Sequence, residues 1–211
     1  TPRIFPALVA LTLGGEDGWI KELSGLACPA TLEVRSSTGK RLKAMSGSTL
    51  CTHFGLSGPG PMDISRYLAD ARLDDPGATL AINWLGSKAA ETVDHELVEL
   101  GPRSVGRYLR EIGPLPERLA EAISRAAGVD PLTPGHALKR DQRKELVRLA
   151  VSTPLHVTGD RGWNQSEVTA GGVPLDEIDL KSMRSKREPG LSLCGEICNV
   201  DGRIGGYNFQ W

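Results

Sequence analysis

Ala30-Thr-Leu-Glu-Val-Arg35, the turn cluster Ser36-Ser-Thr-Gly39 and Arg41-Leu-Lys-Ala-Met45 decide how the N-terminal part of the chain is read. Apolar and polar residues alternate on both sides of a glycine-ended turn, the pattern of two half-buried strands joined as a hairpin. Upstream, Phe5-Pro-Ala-Leu-Val-Ala-Leu-Thr-Leu13 is a compact apolar run stopped by Gly14-Gly15. Downstream, Leu50-Cys-Thr-His-Phe54 is a further strand candidate. Residues 1 to about 56 thus read as β-rich. Gly55-Leu-Ser-Gly-Pro-Gly-Pro61 then opens a helix, with Pro61 in its first turn and Ile64, Leu68 and Ala71 on one face. After the turn Asp74-Asp-Pro-Gly77, Ala78-Thr-Leu-Ala-Ile-Asn-Trp84 reads as a buried strand.

From about residue 88 to 151 the period becomes helical. Ser104 can cap a helix carrying Val105, Tyr108, Leu109 and Ile112, with Gly113 in the terminating position. A second helix carries Leu115, Leu119, Ala122, Ile123 and Ala126 and ends at Gly128. A third runs from about Asp141 to Val151, with Leu146, Leu149 and Ala150 inward. Its basic face (Lys139, Arg140, Arg143, Lys144, Arg148) reads as solvated surface. None of the three is long enough to be stable alone, so they must pack together or on the β-rich part.

Extended structure returns at Leu155-His-Val-Thr158 and again at Glu167-Val-Thr-Ala-Gly-Gly-Val173. In the tail, Leu191-Ser-Leu-Cys194 reads as an apolar strand running straight into Gly195-Glu196. The fold class is therefore α+β.

Composition narrows the function classes. With 25 Lys+Arg against 26 Asp+Glu the 211-residue chain is nearly neutral, which argues against a dedicated polyanion binder, and no nucleic-acid partner is expected. No apolar stretch approaches the roughly 18 residues of a membrane helix, so no membrane partner is expected either. Cys28, Cys51, Cys194 and Cys198 lack the spacing of a secreted disulfide framework and read as free thiols in a cytoplasmic protein. His53, His95, His136 and His156 are scattered, and no metal is expected. Trp84, Trp163 and Trp211 read as packing residues. The start at Thr1, without an initiator Met or a signal-peptide pattern, suggests an excised or truncated piece.

The chain has no G-x-G-x-x-G, no P-loop and no G-x-S-x-G elbow. Its chemistry is concentrated in the tail. An acidic side chain at the carboxyl end of a strand, as at Glu196, can accept hydrogen bonds from sugar or ribityl hydroxyls. Asp201-Gly202 and Gly205-Gly206 leave bare backbone for close approach of a planar or phosphorylated ligand. The same residues could equally form a glycine-rich turn between packed strands. No general acid or base is identifiable from the residues; His53 is the tempting catalytic candidate, against a structural role at a strand–helix corner.

Four ordered segments resemble a known family. Thr169-Ala-Gly-Gly-Val173, Lys181-Ser-Met-Arg-Ser-Lys186, Gly190-Leu-Ser-Leu-Cys-Gly-Glu196 and Asp201-Gly-Arg-Ile-Gly-Gly-Tyr-Asn-Phe-Gln210 resemble the C-terminal signature of the microbial NAD(P)/FAD-dependent oxidoreductase flavoproteins. That family includes aminoacetone oxidase and a bile-acid dehydroxylation reductase. Thr52-His-Phe-Gly-Leu-Ser-Gly-Pro59 with Ile64-Ser-Arg66 is similar to its second signature, and Pro6-Ala-Leu-Val9 with Leu23-Ser-Gly25 to its first.

The resemblance implies a fragment of an FAD-dependent oxidoreductase acting on a small-molecule substrate. Residues 1–87 and 152–165 would form a β-barrel-like insert domain, 88–151 an embedded helical subdomain, and 166–211 the C-terminal part of an α/β FAD-binding domain. The N-terminal Rossmann half, with its G-x-G-x-x-G, would be missing. Gly195 and Glu196 would meet the ribityl–phosphate part of FAD. Gly205, Gly206, Tyr207 and Asn208 would lie by the isoalloxazine ring, with Thr169, Gly171 and Gly172 near it and Asp201 in the same site. Asn199 and Cys198 depart from the family pattern, which usually has Asp and an apolar or small residue there. Alone, the chain is expected to lack FAD and to be inactive, with apolar surface around Leu191–Leu193 exposed or buried by self-association. The alternative reading is a non-catalytic barrel that binds a ligand or partner.

Overall fold

The computed structural model describes residues 3–113 and 115–210; Trp211, read above as a packing residue, lies outside them. In chain order the elements are β1 (Phe5–Ala7), β2 (Leu11–Leu13), α1 (Gly18–Lys21), β3 (Ala27–Arg35), β4 (Arg41–Thr52), β5 (Gly55–Ser57), α2 (Pro59–Asp74) and β6 (Thr79–Asn83). Four helices follow: α3 (Ala90–Val98), α4 (Val105–Ile112), α5 (Glu117–Ala126) and α6 (Arg140–Val151). The chain then forms β7 (Thr153–Leu155), β8 (Val157–Asp160), β9 (Val168–Ala170), β10 (Ile178–Asp179) and β11 (Arg184–Ser185).

The alternating stretch does form the β3–β4 hairpin, with Leu32 opposite Met45 and, on its other side, opposite Ile82 of β6. Seven antiparallel strands lie in the order β7-β6-β3-β4-β5-β2-β8. The two end strands, β7 and β8, are separated in sequence by His156 alone. The sheet must therefore curl until its two end strands come together at His156, a barrel-like arrangement.

The long N-terminal apolar run is two strands. Leu8, 2% exposed, takes a left-handed conformation (φ 49°) that breaks the run. β1 thereby leaves the barrel to pair with β9, while β2 stays in it.

α2 starts at Pro59, which places Pro61 in its first turn as read from sequence. It packs on the buried face of β3 and β4 through a backbone approach that only two glycines permit: a Cβ on Gly47 would lie 2.9 Å from Gly60 Cα. Ile64 and Leu68 are buried beneath it.

The helical region holds four helices. The additional one, α3, buries only Val93 and Leu97 and carries Glu91, Asp94 and Glu96 on its remaining faces, an apolar stripe too narrow to stand out in sequence. Gly128 ends α5 in the left-handed conformation (φ 68°), as its position suggested. Gly113 is extended instead (φ −152°) and serves for close packing: a Cβ there would meet Leu85 Cδ2 at 2.8 Å. Ser104 stands at the N-cap of α4 but makes no side-chain cap bond. The barrel and the helices share one continuous apolar core that runs from Leu11 to Val157.

The tail has two small cores of its own. One joins Ala7, Leu8, Val168 and Ala170; the other joins Ile178, Leu193 and Cys198. The run Leu191–Cys194 is not a strand. It makes a single bridge, Ser192 to Arg184, and buries Leu193 under the β10–β11 hairpin. No helix among the described residues is long and apolar enough to cross a membrane.

Candidate functional site

The site is assembled where β9 and the tail meet α2. Pro6 stands opposite Thr169 in the β1–β9 ladder and has no N–H to offer. The Thr169 amide points the other way and donates to the Glu196 carboxylate. Four residues after Thr169, Val173 N–H donates to Ile197 O at 2.8 Å and Asn199 N–H to Val173 O at 2.8 Å. Gly172 (φ 132°) makes this seam close: a Cβ would lie 2.5 Å from Ile197 O. Gly171 (φ 93°) allows the same intimacy with the carbonyl of Arg3. Thr169, Gly171, Gly172, Gly195 and Glu196 therefore form one cluster. The turn Gly195–Ile197 packs in turn against the turn Tyr207–Gln210.

The second cluster is the loop from Asp201 to Asn208. Asn208 accepts from Gly202 N–H at 2.6 Å and donates to Gly202 O at 3.3 Å, closing the loop on itself. Arg203 donates to the Tyr207 hydroxyl at 2.8 Å and lies over its ring at 4.8 Å. Gly205 (φ 119°) and Gly206 (φ 85°) form its tip, and among the described residues their amides find no acceptor.

Two charged residues of α2 hold this loop. Arg66 Nε lies 2.7 Å from Asp201 Oδ2, and the Asp201 side chain is only 4% exposed. The contact is an ion pair without hydrogen-bond alignment, because the same oxygen has no hydrogen-bond partner. Asp63 Oδ1 accepts from Ile204 N–H at 2.6 Å. Burial lifts the Asp201 carboxyl above its usual range, with Arg66 opposing and Asp70 adding to the shift. Burial likewise lifts Asp63, against the Ile204 N–H and Arg203. The Asp201 carboxylate is turned onto α2, so it shapes the loop and does not face outward.

Sequence reading used Ile64-Ser-Arg66 only as part of a signature and missed Asp63. The available signal was the polar face of α2, where Asp63, Arg66, Asp70 and Asp74 recur at three- and four-residue steps opposite Ile64 and Leu68.

The arrangement can hold an anionic or hydroxyl-rich ligand. Glu196 is exposed and has one oxygen engaged by Thr169, leaving the other to accept from a hydroxyl. The bare amides of Gly205 and Gly206 can donate to a carbonyl or an anion. That donor and acceptor set fits a ligand that carries both hydroxyls and ring carbonyls, as FAD does. Around it the surface is apolar: Ile4 and Ile197 are each 56% exposed and Phe209 93%. Leu191 is exposed as read from sequence, whereas Leu193 is buried. A shallow cavity of about 430 Å³, lined mainly by Ile4, Val173, Pro174 and Ile197, lies on the same side.

Elsewhere, no group of three His, Cys, Asp or Glu side chains among the described residues could hold a metal ion. His53 is exposed, edge-on to Phe54 at 5.1 Å. All four cysteines are free, with only Cys194 exposed. Trp84 is fully buried and Trp163 is 53% exposed.

Known proteins are similar to this chain in sequence. Residues 5–168 match the family model described as the HI0933-like protein barrel and H2TH domain. The ribosomal RNA dihydrouridine synthase of Escherichia coli K12 is 31% identical over 192 residues, covering 91% of this chain and 45% of the relative. The ribosomal RNA dihydrouridine synthase of Haemophilus influenzae is 29% identical, covering 97% of this chain and 48% of the relative. The 3-dehydro-bile acid delta(4,6)-reductase of Clostridium scindens is 26% identical, covering 99% and 51%. The chain thus spans about half the length of the curated relatives it matches. The matched family is flavoprotein-related and one relative is named a reductase, in keeping with oxidoreductase chemistry. With about three quarters of its residues inside the matched model, the chain belongs to the HI0933-like family and carries that family's barrel and H2TH domain.

Proposed function

We propose that this chain is the barrel-and-tail part of an FAD-dependent reductase that saturates a carbon–carbon double bond conjugated to a carbonyl, and that its substrate is a uridine of ribosomal RNA. The names of the relatives support the reaction type. Reducing uridine to dihydrouridine and reducing a 3-oxo delta(4,6) steroid both add hydride to an alkene polarised by a carbonyl. The observation that carries the RNA reading is the 31% identity over 91% of the chain to the Escherichia coli enzyme. A flavin supplies the hydride chemistry when bound, and the protein supplies position and electrostatics.

In this reading Glu196 accepts from ribityl hydroxyls, and Gly205 and Gly206 donate to the ring edge. Tyr207 and Asn208 shape the wall beside the ring, and Thr169 fixes Glu196. The remaining part of the FAD pocket comes from further polypeptide, as the doubled length of the relatives allows. The exposed Ile4, Ile197 and Phe209 surface is the face it covers.

The near-neutral charge gives no long-range attraction for RNA, so an RNA substrate is held by local basic groups. Lys139, Arg140 and Lys144 at the start of α6 are exposed and carry no ion pair among the described residues. A second reading, reduction of a small steroid-like enone, is favoured by the Clostridium scindens relative, which spans 99% of this chain.

The test offers the purified gene product, with FAD and a nicotinamide reductant, an unmodified ribosomal RNA transcript and a 3-oxo delta(4,6) steroid in parallel. Dihydrouridine in the nuclease digest, found by mass spectrometry, supports the RNA reading. Reduction of the steroid alone supports the second, and turnover of neither overturns both.

A further inference from the structure

Asp63 and Arg66 do more than connect two parts of the chain. We propose that they are positioning residues for the flavin: from α2 they set the height and tilt of the Gly205–Gly206 tip that meets the ring. This inference rests on the flavin reading of the site.

The loop from Asn199 to Arg203 has no regular secondary structure to hold its shape. Side-chain contacts do so instead, and two of them come from α2: Arg66 to Asp201 at 2.7 Å, and Asp63 to Ile204 N–H at 2.6 Å. Asn208 to Gly202 and Arg203 to Tyr207 lie within the loop and cannot fix it in the molecule, and the Ile204 side chain adds apolar packing against the Ala7–Val168 core. Ile204 immediately precedes the glycine tip, so the Asp63 contact is the last anchor before the bare backbone. Beyond it little packing restrains the tip, since the nearest atom to a Cβ on Gly206 would be Phe209 Cδ2 at 4.0 Å.

The platform is rigid where it needs to be. Ile64 and Leu68, on the opposite face of α2, are buried in the barrel core, and Gly60 is locked against Gly47. Further along the same polar face, Arg3 donates to Asp74 at 2.6 Å and 2.8 Å and ties the approach to β1. The glycine tip is thus referenced to the barrel.

The two anchors work differently, which makes them separable. Asp63 contributes an acceptor oxygen, which a neutral amide also provides. Arg66 contributes charge to a buried carboxylate that would otherwise stand unpaired.

The experiment compares the wild-type gene product with Asp63→Ala and Asp63→Asn. Amide hydrogen exchange is followed at Ile204–Asn208, and FAD is titrated by visible absorbance and fluorescence. In Asp63→Ala the Ile204 amide should exchange about 10- to 100-fold faster, the loss of one hydrogen bond to a charged group. Exchange in β3 should be unchanged. FAD affinity should fall about 10-fold, with a shifted flavin absorption band. Asp63→Asn should restore both.

The proposal is overturned if Asp63→Ala keeps wild-type exchange at Ile204, or if FAD affinity and spectrum match wild type despite faster exchange. Wild-type protein that takes up no FAD overturns the flavin reading and this inference with it. That outcome is recognised from wild type alone, before any variant is compared. Should Asp63→Ala fold poorly, Arg66→Gln removes the charge of the other α2 contact and must likewise quicken exchange at Ile204–Asn208 and lower FAD affinity, with β3 unchanged.

Discussion

Leu155 and Val157 sit on opposite edges of the seven-stranded sheet although only His156 lies between them. That single-residue passage closes the barrel, and it is pinned from the N-terminal side: Asp17 accepts a hydrogen bond from the His156 N–H at 2.6 Å. Asp17 is itself 5% exposed, and burial raises its carboxyl above the ordinary 3.8, partly offset by His156. One buried acceptor thus fastens the closure from a turn far away in sequence.

Replacing Asp17 separates the hydrogen bond from the charge. Asp17→Ala leaves the His156 amide without its partner and should cost about 1–3 kcal/mol in denaturant unfolding at pH 7. Asp17→Asn keeps an acceptor and removes a buried charge, so at pH 7 it should be close to neutral. The sign with pH follows from the raised value. The folded state holds the Asp17 proton more tightly than the unfolded chain does. Its contribution is therefore present below 3.8 and is lost as pH rises through the raised folded-state value. Asp17→Asn should flatten that fall, read from unfolding midpoints across the acidic range, and an unchanged slope would refute the assignment.

Gly172 is the hinge of the seam between β9 and the Glu196 turn. Gly172→Ala forces a Cβ to 2.5 Å from Ile197 O in a backbone conformation (φ 132°) that suits glycine alone. The seam bonds of Val173 should open, at a cost of about 2–4 kcal/mol where the chain cannot shift. Because the tail has its own small cores, exchange should quicken at Ile197–Asn199 while β3 and β4 stay protected. Equal loss in both places would show that tail and barrel unfold together.

The barrel's longest hairpin was legible because Leu32 and Val34 alternate with Glu33 and Arg35 over several residues, and one buried face demands that period. Its closure was not, because β2, β5 and β7 are three residues long, too short for any periodicity to show. Leu191–Cys194 misled for a related reason. Its one buried residue, Leu193, joins a local core with Ile178 and Cys198 rather than a sheet, and composition alone does not distinguish the two. At the site, Glu196 and the glycines were visible as a tail motif. The Asp63 and Arg66 contacts were not, because a polar helix face looks the same whether it meets solvent or a loop from the far end of the chain.

The thiols offer a test of core burial that needs no mutation. Burial pushes Cys28 up to about 11 and Cys51 up to about 12, so at pH 8 neither has appreciable thiolate. Cys198 is 2% exposed and sterically closed, while Cys194 is open to solvent. A thiol reagent at pH 8 should modify Cys194 rapidly and the other three only after denaturant is added. Rapid loss of a second thiol, mapped by peptide mass spectrometry, would place the fault at the residue concerned.

The helical region is joined to the barrel through polar contacts inside the shared core as well as apolar ones, and those around Trp84 set the last expectation. Trp84, fully buried, donates its indole N–H to Thr153 Oγ1 at 3.0 Å, and Thr153 donates in turn to Leu149 O in α6. The Trp84 backbone N–H reaches Ala150 O at 3.0 Å, so strand β6 and the end of α6 are bonded twice. Thr153→Val keeps the volume but leaves the indole N–H buried without an acceptor, which should cost about 1–3 kcal/mol. Trp84→Phe loses the donor along with ring volume, and with it the reason for the hydroxyl. The double variant should therefore cost less than the sum of the two single changes, by about 0.5–3 kcal/mol, as groups in direct contact do. Strictly additive unfolding free energies would show that the Trp84–Thr153 contact does not help to join the helices to the barrel.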